Sequence, residues 1–406
     1  MIKIAFRNVF RNRRRTLLSL LLIAVGTAAL FVVRGYVDDA YLQLRQLAIN
    51  TYGDLQIARP SYWNNTYRGY SYLIKPQELG RIEVLLRKQP QFDQVAAQLS
   101  VSGLIGNQQG STNLLALGVQ PERWKLPFPL SSGRSLRVGD LGQALIGEAM
   151  AQRLGVGIGD YLSLAVTTVN GAFNAGSVKV VGIFKGLQPA ENGYLGFIPL
   201  KLAQRLLGTV GVGKLIVQLR SAAEAAPVAH ALQRALDASG LDSASNSSFQ
   251  VKTWSDLAVF YHQVQAFWKV MFGFMTTAIF ILVLFSIMEV MTMSFFERMR
   301  EIGTIKAIGT RRYQIFALFS TEGILLGLLG GVLGLGLGWL LGWLINLAYI
   351  TYTPPGFTVE IPITIRLAAH NLTVPFLTAF ISTVLSTLLP AVKAARTRIV
   401  DALRYV

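Results

Sequence analysis

Residues 297–342 read ERMREIGTIKAIGTRRYQIFALFSTEGILLGLLGGVLGLGLGWLLG and join a basic segment directly to a glycine-rich apolar helix. In the basic segment, four apolar residues recur every three positions. This spacing predicts a helix that lies on a membrane surface by one apolar face, formed by Met299, Ile302, Ile305 and Ile308. In the apolar part, glycines four residues apart leave a stripe without side chains, so another helix can approach closely. The glycines predicted to pack are Gly327, Gly330, Gly331, Gly334, Gly338 and Gly342.

Composition predicts an α-helical membrane protein with four transmembrane helices and a large extracytoplasmic α+β domain. Of the 406 residues, 52% are hydrophobic, which is more than a soluble protein of average composition carries. The predicted spans are residues 16–36, 263–293, 314–350 and 372–392. Each contains an uncharged run close to or longer than the roughly 18 residues that cross a bilayer core.

The net charge of +17 is concentrated at three places in the chain. Residues 1–15 carry six Lys or Arg, residues 294–314 carry five and residues 393–406 carry four, whereas the loop 351–371 carries one. By the positive-inside rule, both termini and the second basic segment lie in the cytoplasm, and residues 37–262 lie in the periplasm beyond a cell inner membrane. Because the basic residues follow the membrane topology, no nucleic-acid partner is expected.

The first fifteen residues are predicted to form a cytoplasmic amphipathic helix, since apolar residues recur there at helical spacing beside Lys and Arg. An Arg-rich start followed by an apolar run is also the pattern of a cleaved signal peptide. An uncleaved anchor is favoured, because the apolar run is longer than a usual signal sequence and three more spans follow.

The periplasmic segment contains two patterns of predicted secondary structure. Helices and strands are mixed in residues 37–120 and 213–262, whereas residues 121–212 contain short strands broken by glycine, which predicts an α+β unit split by a β-rich insert. Strands at 162–169 and 178–184, around a polar turn at 170–176, predict a long β-hairpin in the insert. The remaining elements are predicted as helices at 76–88 and 222–238 and strands at 95–105, 113–119, 215–220 and 249–254.

The sequence predicts a protein that is not an enzyme and holds no cofactor or metal. There is no cysteine, which excludes disulfides and thiolate chemistry. GTVGVGKL at 208–215 is close to a phosphate-binding loop, but Leu215 stands where Ser or Thr is required and the segment leads into a strand. The three histidines are scattered, so no metal-binding pair is predicted.

Several stretches resemble the FtsX-like permeases of ABC transporters, in the MacB superfamily, and most of all the lipoprotein-releasing LolC/LolE type. They are ERMREIGTIKAIGT at 297–310, EG at 322–323, GG at 330–331 and PAVKAARTRIVDALR at 390–404. The resemblance implies a porter-like periplasmic unit with a sabre-like insert, and a dimer with a second permease copy or paralogue. It also implies a separate ABC-type ATPase, which binds the ATP and Mg.

The same resemblance assigns roles to particular residues. Segment 294–313 resembles the coupling helix that docks into the ATPase, and the implied coupling residues are Glu297, Arg298, Arg300, Glu301, Ile302, Gly303, Lys306, Ala307, Gly309, Arg311 and Arg312. Charge reversal at Arg300 and Lys306 is then expected to weaken ATPase association. The hairpin that hooks a carrier in LolC-type permeases corresponds to the short, proline-free stretch 167–177, with Thr167, Val169, Asn170 and Phe173 as its contact residues.

The implied function is mechanotransmission, in which ATP hydrolysis drives motion of the periplasmic domain. The expected substrate is a lipoprotein or another amphiphile extracted from the outer leaflet, with a periplasmic carrier or adaptor as a further partner. MacB-like tripartite efflux of peptides or drugs and FtsX-like signalling to a cell-wall hydrolase are the alternatives. Two glutamates at the membrane edge, Glu289 and Glu322, are expected to pair with nearby arginines.

Overall fold

The computed structural model describes residues 13–63, 70–240, 248–353 and 356–404. Most of the amphipathic helix predicted over residues 1–15 therefore lies outside the described residues. The chain divides into two compact units. The helical unit contains the residues up to Gln43, Gln263–Thr351 and the residues from Pro362 onward, and the sheet domain contains Leu44–His262 with Tyr352–Ile361.

The α-helices are α1 (Arg13–Tyr52), α2 (Pro60–Trp63), α3 (Pro76–Arg87), α4 (Glu148–Leu154), α5 (Pro189–Tyr194), α6 (Leu200–Leu207), α7 (Ala225–Ala238), α8 (Trp254–Leu257), α9 (Val259–Glu297), α10 (Met299–Ala307), α11 (Arg312–Ala348), α12 (Thr373–Arg396) and α13 (Ile399–Arg404). Short 3-10 helices lie at Ala222–Glu224 and Ala369–Leu372. Within the described residues, α1, α9, α11 and α12 are long and apolar enough to cross a membrane, in agreement with the four predicted spans.

Helix α1 continues well beyond residue 36, where the first span was predicted to end. Neither proline nor glycine interrupts the chain between Gly35 and Gly53, so nothing in the local sequence stops the helix. Gly53 then adopts a left-handed conformation with a φ of +72°, which ends the helix ahead of the first strand. The residues 37–52 are thus helical.

The glycines of α11 allow two neighbouring helices to approach it. A Cβ at Gly334 would lie 2.5 Å from the Thr27 Cβ of α1, and one at Gly331 would lie 2.9 Å from the Phe376 ring of α12. The other glycines predicted to pack would place a Cβ 2.8–3.2 Å from a neighbouring side chain: Gly327, Gly330, Gly338 and Gly342. Gly330, Gly334 and Gly338 therefore face α1, Gly327 and Gly331 face α12, and Gly342 faces Leu367 and Ile365, where the sequence suggested a single stripe.

The strands are β1 (Leu55–Ala58), β2 (Phe92–Gly106), β3 (Ser111–Val119), β4 (Leu130–Gly133), β5 (Gln143–Gly147), β6 (Tyr161–Thr167), β7 (Phe173–Phe184), β8 (Leu195–Pro199), β9 (Lys214–Leu219), β10 (Gln250–Thr253), β11 (Thr351–Tyr352) and β12 (Ile361–Pro362). The first ten strands form one sheet in the order β10-β1-β9-β2-β3-β8-β5-β7-β4, with β6 paired to β2 and β7. Strands β11 and β12 form a separate two-stranded sheet.

Strand β2 connects the two parts of the large sheet. Its first half pairs with β9, up to Gln98 opposite Lys214, and its second half pairs with β3 from Leu99 opposite Gly118. Strand β3, which the sequence places outside the insert, also pairs in parallel with β8, which lies within residues 121–212. The predicted insert is therefore continuous by hydrogen bonding with strands that precede it in the sequence.

The predicted hairpin is present, but its turn is shorter than expected. Residues 173–176, predicted as part of the turn, belong to β7, where Phe173 pairs with Thr167 and Gly176 pairs with Leu164. Cross-strand pairing stabilises these residues as a strand although Asn174 and Gly176 have low β propensity. The turn itself is Thr168–Ala172, and Gly171 within it has a φ of +82°.

Part of the loop between α11 and α12 packs within the sheet domain. The Thr358 backbone N–H donates to the Leu187 carbonyl at 2.8 Å, and the Thr358 hydroxyl donates to the Gly186 carbonyl. The buried Asn192 side chain completes this contact by donating to the Thr358 hydroxyl at 3.3 Å. This loop, predicted only as a short connection, is thus attached to the domain by hydrogen bonds.

Candidate functional site

The basic segment over residues 297–313, hereafter the connector, contains the short helix α10. The helix is bounded by Arg298, with a φ of −100°, and by Gly309, with a φ of +105°. Its buried residues are Met299, Ile302, Gly303 and Lys306, a spacing of i, i+3, i+4 and i+7 that defines one face of a helix. This face packs in the helical unit and shares only Met299 and Ile302 with the predicted apolar face.

The predicted apolar face was wrong in its second half. A helix turns by about 100° per residue, so a three-residue repeat drifts by about 60° at each step. Met299 and Ile302 are buried, but Ile305 is 43% exposed and Ile308 is 81% exposed. The repeat therefore rotates from the buried face to the opposite face within one helix.

The buried face of α10 contacts the end of the chain. Met299 and Ile302 belong to a small apolar cluster with Ala394 of α12 and Ala402 of α13. Phe295, Ile315 and Phe319 complete the cluster from α9 and α11. The connector is thus fixed to three long helices and to the last short one by a continuous apolar contact.

Lys306 lies in this buried face, and its ammonium group binds the end of α12. The Nζ atom donates to the carbonyls of Ala394 at 3.1 Å, Ala395 at 2.9 Å and Thr397 at 2.7 Å. Carbonyls at a helix C-terminus lack intrahelical donors, and the helix dipole places negative charge there, so a cation is well matched to this position. Burial, with a smaller contribution from the charge of Arg312, lowers the pKa of Lys306.

A second polar contact fixes the start of the connector. The Arg298 Nη1 donates to the Glu322 Oε1 of α11 at 2.9 Å, and both side chains are largely buried. Glu322 thus pairs with an arginine as expected. Glu289 lines an open groove with Arg300 and Lys393, but no ion pair within 4 Å joins Glu289 to a basic side chain in the described part of the chain.

The predicted coupling residues separate into two groups. Arg298, Ile302, Gly303 and Lys306 attach the connector to its own chain and do not form its outer surface. The exposed group comprises Glu297, Arg300, Glu301, Ala307, Gly309, Arg311 and Arg312. Two exposed apolar residues, Ile305 and Ile308, join this outer surface although they are absent from the predicted set. The three-residue spacing from Met299 places these two residues progressively further round the helix, and this spacing is the signal in the sequence that identifies them as exposed.

The hairpin of β6 and β7 is the second predicted site. The Val169 backbone N–H donates to the Leu207 carbonyl at 2.9 Å, and the Asn174 Nδ2 donates to the Leu206 carbonyl at 2.8 Å. The hairpin is therefore held against the end of α6. Phe173 presents a ring that is 77% exposed, and Asn170 lies in the turn beside it.

Comparison with known proteins identifies the family. Residues 16–235 match the model of the MacB-like periplasmic core domain, and residues 273–399 match that of the FtsX-like permease C-terminal region. The first match covers more than half of the chain, so the chain belongs to the MacB-like family, as an ABC transporter permease of the MacB/FtsX type. Permeases of this family work with an ABC ATPase, and the four apolar helices with the sheet domain make a membrane protein with a large extracytoplasmic domain.

Two relatives identified by sequence agree with this assignment. The ABC transporter permease YvrN of Bacillus subtilis is 24% identical over all of this chain and 99% of its own length. The macrolide export ATP-binding/permease protein MacB of Chlorobium luteolum is 25% identical over 99% of this chain, which spans 59% of the length of that protein. The crystal structure of the periplasmic region of MacB from Actinobacillus actinomycetemcomitans matches 51% of this chain and 91% of that one at 12% identity, with a TM-score of 0.36.

Proposed function

We propose that this chain transmits ATP-driven movement of a separate ABC-type ATPase to its sheet domain, with the outer surface of the connector as the docking site. The observation that supports this proposal is Ile308, which is 81% exposed between basic side chains on a helix whose opposite face is fixed to α11 and α12. A large apolar side chain that is exposed within a charged surface is typical of a protein interface.

The charges of this surface indicate the chemistry of its partner. Arg300, Arg311 and Arg312 are all exposed around Ile305 and Ile308. A groove with an apolar floor and an acidic rim would match both features, since complementary charges orient the partner and the apolar contacts supply affinity. Both termini and the connector then lie in the cytoplasm of a cell with an inner membrane.

Substitution on the outer surface tests the docking site. The Ile308→Glu variant of the tagged full-length chain should retain at least tenfold less co-purified ATPase than the parent, because loss of a central apolar contact costs about 2 kcal/mol or more. The Val210→Glu variant is the matched control, since Val210 is 73% exposed in the sheet domain. Equal ATPase recovery from the parent and the Ile308→Glu variant, at equal thermal stability, would refute the docking site.

Lys306 is not part of this test, although it belongs to the predicted coupling residues. Its ammonium group is engaged by three carbonyls, so a charge reversal there would disturb the end of α12. Loss of ATPase binding in such a variant would not report on the docking surface. Arg300→Glu is the informative charge reversal, because the Arg300 side chain is exposed.

For the transported substrate, we propose a lipidated protein or another amphiphile that is drawn from the outer leaflet, as in the LolC/LolE type. The buried hydroxyls of the helical unit support a route outside the bundle. Thr27 and Thr383 each donate to the carbonyl one turn earlier in their own helix, at 2.8 and 2.7 Å. Ser382 and Ser386 bond within α12 in the same way, so these groups line no polar path between the helices.

MacB-like efflux of peptides or drugs and FtsX-like signalling to a cell-wall hydrolase are the competing functions. Mass spectrometry of crosslinked, detergent-extracted complexes separates them. Acylated proteins or a carrier beside the ATPase support extraction, a periplasmic adaptor supports efflux, and a hydrolase supports signalling. The mass of the intact complex also tests the proposed dimer, because two permease copies should accompany two ATPases.

We propose that the hairpin of β6 and β7 is part of a sabre-like insert and that it contacts the carrier or adaptor through Phe173. Its ring is exposed, whereas the backbone around it is fixed by β6 and by Leu207. A rigid exposed aromatic ring binds with little loss of conformational freedom. The Phe173→Ser variant should lose crosslinks to the periplasmic partner, whereas the Val210→Ser variant should keep them. Unchanged crosslinks from the Phe173→Ser variant would exclude this contact.

A further inference from the structure

The sheet domain contains a cavity of about 380 Å³ between one face of its sheet and the loop that follows β3. All of the residues that line it belong to this one compact unit. Sites for small ligands typically have volumes of roughly 300–1,000 Å³, so the cavity is large enough for a molecule of one or two rings. Neither the docking surface nor the hairpin contributes to it.

The floor of the cavity is polar. In β9 every second residue is buried in the apolar core, and the residues between them, including Lys214 and Gln218, face the other side of the sheet. The neighbouring strand β2 places Gln94 opposite Gln218 and Gln98 opposite Lys214. Three carboxamides and one ammonium group therefore line the same face, with the apolar pair of Ala96 and Ile216 between the two polar pairs.

Gln98 is the residue of the floor that points to a ligand. It is only 5% exposed, and within the described ranges its carboxamide has no hydrogen-bond partner. The Gln94 Nε2 donates a hydrogen bond to the Gln218 Oε1. The polar atoms of the Gln98 carboxamide are still open to the cavity, so a molecule inside it can bond to them. A bound molecule with an amide or hydroxyl group would supply the missing bonds.

Lys214 gives the floor a positive charge. Its Nζ donates to the Gln56 Oε1 at 3.2 Å and lies 5.5 Å from the centre of the Tyr62 ring, and among the described residues no carboxylate lies within 4 Å of it. The other charged residues that line the cavity are Arg123, Lys125 and Glu191. Arg123 already pairs with Glu83 at 3.6 Å, which leaves the charges of Lys214 and Lys125 against that of Glu191, and this positive balance favours an anionic ligand.

Aromatic side chains also line the cavity. The Trp124 ring lies 4.7 Å from the Phe197 ring between centroids, and Phe128 lies 6.2 Å from Phe197. Trp124 and Phe128 come from the loop after β3, whereas Phe197 belongs to β8 of the sheet that carries the polar floor. Trp124 is half-buried and can offer a flat apolar surface to a ring of the ligand.

We propose that this cavity binds a small anionic ligand that carries an amide or hydroxyl group and a ring with an apolar face. The anionic group lies against Lys214, the amide or hydroxyl bonds to Gln98, and the apolar face of the ring packs on Trp124. Acidic N-acetylated amino sugars and N-acetylated aromatic amino acids share this chemistry. The proposal does not depend on which substrate the permease moves or on the ATPase.

Paired probes test the proposal on the full-length chain in lipid nanodiscs. N-acetylmuramic acid is compared with uncharged N-acetylglucosamine, and N-acetyl-L-phenylalanine is compared with its C-terminal amide, by ligand-observed NMR and calorimetry. At least one anionic probe should bind with a sub-millimolar Kd and at least tenfold more tightly than its neutral counterpart. The pair that shows this preference identifies the sugar or the amino-acid source.

Two variants and one control locate the binding. Lys214→Met should abolish the preference for the anionic probe, whereas Lys252→Met, on β10 of the same sheet and outside the cavity, should preserve it. Gln98→Met should weaken binding at least tenfold and leave the melting temperature unchanged or higher, because the carboxamide has no described partner to lose. The proposal is overturned if neither anionic probe is preferred, if Lys214→Met keeps the preference, or if Gln98→Met lowers stability without changing affinity.

Discussion

Replacement of Lys306 by methionine should detach the end of α12 from the connector. Methionine keeps most of the apolar stem of lysine and removes the group that donates to three carbonyls. Two of the carbonyls belong to Ala394 and Ala395, which are buried, so water does not readily replace the ammonium group there. Thr397 is half-buried, and its carbonyl can bond to water after the substitution.

The magnitude follows from these contacts. A buried carbonyl that loses its partner costs about 1–3 kcal/mol, which gives about 2–6 kcal/mol for the two buried alanine carbonyls. Part of this cost is recovered, because the variant no longer buries a charged group. We therefore expect a net loss of about 2–3 kcal/mol, confined to the contact between α10 and the end of α12. The lowered pKa of Lys306 supports this recovery, because its main cause is burial, which makes the charged form of the side chain less favourable.

Hydrogen exchange of the full-length chain in detergent measures this local loss. A loss of about 2–3 kcal/mol should accelerate amide exchange at residues 394–404 by about 30- to 160-fold when exchange follows local opening. Arg300→Met, an exposed position of the same helix, should leave these rates within about threefold of the parent. Unchanged protection of residues 394–404 in the Lys306→Met variant would refute the role assigned to the ammonium group.

Two further outcomes are expected from the packing and charge of the chain. Gly334→Ala should lower stability by about 1–3 kcal/mol, because its Cβ would lie 2.5 Å from the Thr27 Cβ, whereas Gly336→Ala, with nothing within 4 Å, should be neutral or stabilising in thermal unfolding. The Arg134 guanidinium, which donates two hydrogen bonds to Asp140, holds the pKa of that carboxyl below its ordinary value of 3.8. The stabilisation is therefore present above about pH 3.8 and is lost as the pH falls through the folded-state pKa, so acid should destabilise the parent more than Asp140→Asn; equal acid sensitivity would contradict this.

The sequence predicted the elements whose signals are local. Long uncharged apolar runs identified the four spans, and the strand at 113–119 corresponds to β3, where the sequence has a short apolar run over residues 114–117. The burial of Lys306 could not be predicted in this way, since its partners lie 88 to 91 positions later in the chain. A basic residue inside a basic segment looks like part of an exposed surface until the end of α12 is placed beside it.

The cavity proposed to bind a ligand was not predicted from the sequence, for a different reason. Its floor depends on the register of β2 against β9, which brings Gln98 opposite Lys214, and the two residues are distant in sequence. Single glutamines in amphipathic strands normally face solvent. The loop that carries Trp124, together with residues 50–53, covers this face of the sheet and forms the cavity.

The inner side of the connector attaches it to its own chain, and under the proposed function its outer surface docks the ATPase. Substitutions on the two sides should therefore cause two distinct defects. Ile308 lies on the outer surface, whereas Lys306 and Arg298 bind α12 and α11 on the inner side. An Ile308→Glu variant should fail to recruit the ATPase, so the purified complex should have no ATP hydrolysis to couple. A Lys306→Met variant should keep the ATPase and its hydrolysis but lose much of the transport, because movement of the connector no longer reaches α12. Hydrolysis and transport that decline in parallel in both variants would mean that the connector acts only as a docking site.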